Sequence, residues 1–148
     1  MNPPTSTVTE SVPELRPGAI SRATLALFAG ASGDHNPIHI DIDSAKASGV
    51  EDVFTHGMLS MAYLGRLLTN WIPQSRILEL SARFTAITPV RAEPVLTAEI
   101  KEIVTVDGKQ RAHLDLSVVL ADGTRTLTGT AVVAWPDRDP LGNATLVP

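Results

Sequence analysis

The chain has no cysteine among its 148 residues. That excludes a disulfide scaffold, a zinc ribbon, an iron–sulfur site and a thiol nucleophile together. It also lacks a basic excess: 12 Lys and Arg stand against 16 Asp and Glu, a net charge of −4. A mildly acidic chain without a basic cluster is a poor nucleic-acid binder. No apolar run approaches membrane-spanning length. The opening Met1–Glu10 stretch has neither the basic nor the apolar block of a signal peptide, which makes the cytoplasm the expected location. What is present is ordinary globular material, 43% hydrophobic and 19% charged, of a length that suits one domain.

Residues 1–10 are rich in Pro, Ser and Thr and read as a flexible lead-in. Pro13 and Pro17-Gly18 allow at most a short edge strand between Val12 and Ile20. Ser21 reads as an N-cap for a helix from about Arg22 to Ala31, closed by Gly30 and Gly33. Ser32 to His39 is turn chemistry. Asp43-Ser44 caps a further short helical turn that Gly49 stops. The strongest helix signal runs from Thr55 to Ile72, apolar around most of its circumference and ended by Pro73, so a buried helix is expected.

Beyond Pro73 the apolar period changes to two. Leu78 to Ala86, Leu96 to Ile100, Ala112 to Leu120 and Leu127 to Trp135 each alternate as strands with one buried face. Asp107-Gly108 and Asp122-Gly123 are hairpin turns, so the last three strands form an antiparallel meander. Residues 137–148 read as a loose tail, which leaves one domain over 11–136. An antiparallel sheet curled on one apolar helix is an α+β domain. Such a sheet leaves an edge uncovered, and a dimer is expected.

The densest polar cluster is Asp34-His35-Asn36-Pro37-Ile38-His39, in a loop between helix signals, where functional groups concentrate. Gly33 permits a tight backbone path and Pro37 stiffens the connection. A carboxylate at 34 and an imidazole at 39 can share one water, one accepting its proton while the other donates a proton elsewhere. That is what adding water across a double bond, or removing it, requires. The plainer alternative makes Asp34 and Asn36 turn or cap residues and His39 a surface histidine. The second feature is Thr55-His56-Gly57-Met58-Leu59 at the entry to the long helix. Free N–H groups there stabilise negative charge, and Gly57 would let a ligand approach the backbone closely. Such donors suit the oxyanion that forms when water adds to a conjugated thioester. His56 would orient the loop or serve as a satisfied structural histidine, and the plainer alternative at this entry is a simple N-cap at Thr55 with a glycine nearby.

His35 and His39 have the spacing of a helical metal-ligand pair, but Pro37 between them breaks that helix, so no metal is assigned. There is no G-x-S-x-G elbow, P-loop or G-x-G-x-x-G.

The string from Phe28 through Gly33-Asp34-His35-Asn36-Pro37-Ile38-His39, continued by Asp41, Ala45, Gly49 and His56-Gly57-Met58-Leu59, resembles the hydratase-2 motif. It is the motif of MaoC-like (R)-specific enoyl-CoA hydratases and (3R)-hydroxyacyl-ACP dehydratases. The similarity is sharpest from about Phe28 to Leu64 and looser through Arg83-Phe84-Thr85 and Pro89-Val90 to about Trp135. The resemblance implies a hot-dog fold, a long central helix wrapped by an antiparallel sheet, paired into dimers. It implies that Asp34 and His39 are the catalytic pair, that Asn36 braces the loop, and that the Gly57 N–H is the oxyanion donor. It implies no metal or redox cofactor. The activity implied is reversible hydration of 2-enoyl thioesters of CoA or acyl-carrier protein to (3R)-3-hydroxyacyl thioesters. Where some relatives carry a water-holding serine on the central helix, this chain reads Ala62-Tyr63-Leu64-Gly65. A homodimer, or a heterodimer with a second hot-dog subunit, would complete the assembly.

Two other classes compete. A hot-dog thioesterase would use a carboxylate near the central helix, and Thr55 to Ile72 holds no acidic residue. A non-catalytic acyl-thioester-binding or assembly subunit would have no need of the Asp34/His39 pair.

Overall fold

The computed structural model describes residues 11–135. The lead-in expected at 1–10 and the tail expected at 137–148 lie outside them. In order, the elements are helices α1 (Arg22–Ser32), α2 (Ile42–Ala47) and α3 (Gly57–Thr69), then strands β1 (Ile77–Phe84), β2 (Val95–Val106), β3 (Lys109–Val119) and β4 (Arg125–Ala134). The strands form one antiparallel sheet in the order β1-β4-β3-β2, so the last three are the expected meander. Asp107 and Gly108 both have positive φ (51° and 75°), the pair of left-handed residues that a tight β2–β3 hairpin needs. The Val12–Ile20 region contributes only the bridge Leu15↔Leu96 to the β2 edge.

Leu64, Leu67 and Leu68 of α3 are buried with Leu96, Leu114, Leu116, Val118, Leu127 and Val133 of the sheet. Each such side chain contributes about 2 kcal/mol of burial. A second cluster, Ile20, Leu25, Ala45, Val53 and Leu59, ties α1 and α2 to the first turn of α3. Tyr63 packs against both clusters. The long loop between α1 and α3 is therefore fixed to the same helix that the sheet holds.

Four readings of the sequence are corrected. The cap of α2 is Asp41, whose Oδ1 accepts from the Asp43 N–H at 2.9 Å, because its side chain reaches the first free donors while Asp43 is already helical. Helix α3 is shorter than Thr55–Ile72 and is preceded by His56, not Thr55, at the cap position. It is also not buried all round, since Ala62 and Arg66 are exposed and Met58 is 56% exposed. The inward alternation expected for Leu78, Phe84 and Ala86 fails. Leu78 is the extra residue of a bulge between Ile77 and Glu79. Phe84 pairs with buried Leu127 but its ring lies against Gly57 instead of in the core, and Ala86 lies past the end of β1, where its N–H joins that of Thr85 on the Thr126 carbonyl.

Candidate active site

The site is assembled from the α1–α3 connection. Ser21 accepts from the Thr24 N–H and starts α1, as its sequence predicts. Gly33 ends it at φ 76°, a left-handed conformation that a side chain would strain. The chain turns sharply there and delivers Asp34. The turn is braced stepwise. The Ser32 hydroxyl donates to the Phe28 carbonyl at 2.7 Å and accepts from the Asp34 N–H at 3.2 Å. The Asn36 N–H donates to Asp34 Oδ1 at 3.3 Å, and the Ile38 N–H donates to Asn36 Oδ1 at 3.2 Å. Asn36 thus caps the short turn Pro37–His39 and aims His39 inward.

His39 is buried, and its Nδ1–H donates to the Phe54 carbonyl at 2.8 Å. A carbonyl only accepts, so Nδ1 carries a proton, and Nε2 is the ring nitrogen left to meet a ligand. Phe54 is itself held by a bridge to Pro89 and by the Thr55 N–H on the Thr88 carbonyl at 2.9 Å. His56 is fully buried and donates Nε2–H to the Asp34 main-chain carbonyl at 3.2 Å. Its ring stacks on His39 with centroids 4.0 Å apart at 28°, and the edge of Phe28 meets it at 5.0 Å. Its Nδ1 is buried with no partner among the described residues. Burial holds His56 below the ordinary histidine value, and proximity to His39 pushes the same way. The bond to the Asp34 carbonyl and the Asp34 charge pull against them.

One ligand atom from each of Asp34, His39 and His56 lies within 4.8 Å of the other two. The sequence-predicted pair is therefore brought together, with His56 as a third member. The grouping has the composition of a metal site, but the geometry is unsuited to one. Imidazole lone pairs lie in the ring planes, and two nearly parallel stacked rings do not point at a common ion. His35 is exposed, with no hydrogen bond among the described residues.

Gly57 begins α3, and neither its N–H nor that of Met58 has a backbone acceptor among the described residues. The free donors expected at that position are present. A cavity of about 330 Å³ opens beside Gly57, walled by Phe54, Thr55, Ser60, Phe84, Thr88 and Leu127. A larger hollow of about 630 Å³ lies on the outer sheet face among Ser81, Arg83, Thr97, Glu99, Asp115 and Ser117. Neither hollow has Asp34 or His39 in its wall, but only the smaller one reaches the head of α3. The smaller cavity, beside the free N–H groups, is the one the chemistry points to.

Residues 4–123 match the family model described as the MaoC like domain. The chain belongs to the MaoC-like domain family. It is 31% identical over 114 residues to an (R)-specific enoyl-CoA hydratase of Aeromonas caviae, covering 77% of this chain and 85% of that protein. To an (R)-specific enoyl-CoA hydratase of Rhodospirillum rubrum it is 29% identical over 119 residues, with 80% and 82% covered. The solved (R)-hydratase from A. caviae involved in PHA biosynthesis superposes with a TM-score of 0.74 at 28% identity, over 88% of this chain and 100% of that one. The MaoC-like fold is the hot-dog arrangement that the motif implied.

Sequence reading of this MaoC-like chain missed three features. Ser60, buried on α3, lines the cavity although the Ala62–Gly65 stretch has no serine. The Thr55 hydroxyl, also on the cavity wall, is buried without a partner among the described residues. Phe84 lies over Gly57, where an added Cβ would come 3.1 Å from its Cε1. Apolar alternation gives no signal for any of them.

Proposed function

We propose that this MaoC-like chain is a hydro-lyase that reversibly hydrates 2-enoyl thioesters, of CoA or acyl-carrier protein, to (3R)-3-hydroxyacyl thioesters. The observation that carries the reading is the convergence of Asp34 and His39 within 4.8 Å, with His39 Nδ1 committed to Phe54 and Nε2 free. The pair holds one water. As its oxygen bonds to C3, the pair takes the water proton and then passes that proton to C2. Water thus supplies both the OH at C3 and the H at C2, and the pair ends as it began. The electron pair of the conjugated bond passes to the thioester oxygen in the transition state. The Gly57 N–H, at the positive end of α3, stabilises it there. Elimination of water runs through the same groups in reverse. Asn36 and Gly33 set the loop path, and His56 fixes the loop to α3.

Strand β1 has no neighbour on its outer side among the described residues. A second hot-dog chain, identical or not, added at that edge would complete the assembly.

The test follows loss of the conjugated-thioester absorbance of crotonyl-CoA with the purified chain, beside Asp34→Asn and His39→Ala. Turnover in the parent alone supports the reading. Undiminished turnover in both variants overturns it.

A further inference from the structure

Phe84 is the last residue of β1 and is 49% exposed, although it is aromatic and the chain has few aromatics. Its ring lies on Gly57: a Cβ built at position 57 would be 3.1, 3.4 and 3.5 Å from Phe84 Cε1, Cδ1 and Cζ. A methyl group at position 57 would therefore press on the ring, which would have to give by a few tenths of an ångström. The same ring is one wall of the 330 Å³ cavity that runs from Gly57 past Thr55 and Ser60 to Leu127. That volume is at the low end for a small-molecule site. The backbone beyond the ring is anchored, because the Thr85 N–H and the Thr85 hydroxyl donate to the Thr126 and Arg125 carbonyls at 2.9 and 2.6 Å.

We infer that Phe84 is the specificity-determining residue of this cavity: its ring covers the approach to the Gly57 N–H and its bulk sets how large an acyl group the cavity accepts. The inference rests on the reading of the chain as an acyl-thioester enzyme. A thioester whose carbonyl reaches Gly57 meets this ring, because the ring lies directly over that residue. A half-exposed side chain can be exchanged at little cost to the fold.

The test is calorimetric titration of the full chain with butyryl-, hexanoyl-, octanoyl- and decanoyl-CoA. These are saturated and cannot be hydrated, so the readout is independent of turnover. Parent, Phe84→Ala and Phe84→Trp are compared. Phe84→Ala should improve the decanoyl-to-butyryl affinity ratio by about tenfold or more. Phe84→Trp should move the ratio the other way, which guards against a result produced by loosened packing. Binding with the same order of affinities in all three proteins overturns the role of Phe84 and leaves the enzymatic reading standing. No binding by the folded parent of any acyl-CoA, or of the acyl-pantetheine arm that CoA and acyl-carrier protein share, overturns both.

Discussion

Replacing His56 by Ala is the most informative single perturbation of the loop. The side chain is fully buried, stacks on His39, meets the edge of Phe28 and donates to the Asp34 carbonyl. Losing that hydrogen bond costs about 1 kcal/mol, because water reaches the exposed Asp34 turn and satisfies the carbonyl. Emptying the imidazole volume costs about 2 kcal/mol more. Together these lower the melting temperature by about 10 °C. Catalysis should fall further than stability alone explains, because His39 loses the face against which it is set. A displacement of the order of an ångström costs about a hundredfold in kcat. KM should move much less, since His56 is not on the cavity wall. His56→Gln keeps a donor for the Asp34 carbonyl and should recover part of the stability. The assays are thermal unfolding and steady-state hydration of crotonyl-CoA on the same samples. A His56→Ala protein that melts about 10 °C lower yet keeps the parent kcat would refute the positioning role and leave His56 a packing residue.

The pH dependence has a definite sign. His56 is held below its ordinary value of 6.5, so the unfolded chain takes up a proton there before the folded chain does. Its contribution is complete above about 6.5 and is lost as pH falls from there toward the lowered folded-state value. Unfolding titrations should show that loss, and it should flatten in His56→Gln. Asp34→Asn should reduce hydration about a thousandfold at unchanged melting temperature, because the amide oxygen can still accept from the Asn36 N–H. A shifted melting temperature would mean that the carboxylate braces the loop. Gly129 faces Ala82 across β1–β4, and a Cβ there would collide with the Ser81 carbonyl. Gly129→Ala should therefore cost about 3 kcal/mol, read by denaturant unfolding, and an unperturbed midpoint would show that the β1–β4 contact yields.

Elements whose signal is local were legible from the sequence. Ser21 with Gly33 bounds α1, Asp107-Gly108 fixes the β2–β3 hairpin, and the strict alternation of Ala112 to Val118 gives β3 and its buried face. The Asp34–His39 cluster was legible because the turn that builds it is continuous in sequence. The rest depends on contacts between distant segments. The stack of His56 on His39 is held by hydrogen bonds from His39 to the Phe54 carbonyl and from His56 to the Asp34 carbonyl, and no periodicity encodes those pairings. Phe84 keeps the phase of Leu80 and Ala82, yet its ring covers Gly57 instead of joining the core, although its strand partner Leu127 is buried there. A bulge at Leu78 breaks the alternation at the other end of the same strand, and a single inserted residue is invisible to a period-two pattern. The cap of α2 shifted from Asp43 to Asp41 for a local reason: several adjacent polar residues could each serve.

The groups proposed to handle protons, with the glycine beside them, fall between positions 34 and 57. The wall proposed to meet the acyl chain draws largely on the later residues Phe84, Thr88 and Leu127. The two stretches meet along Phe54 to Gly57, through the Phe54–Pro89 bridge, the Thr55–Thr88 hydrogen bond and the Phe84 ring over Gly57. Inherited change can therefore retune which substrate is admitted by altering the later stretch while the proton-handling stretch stays as it is. A lineage built on this plan can diversify its diet without reinventing its chemistry.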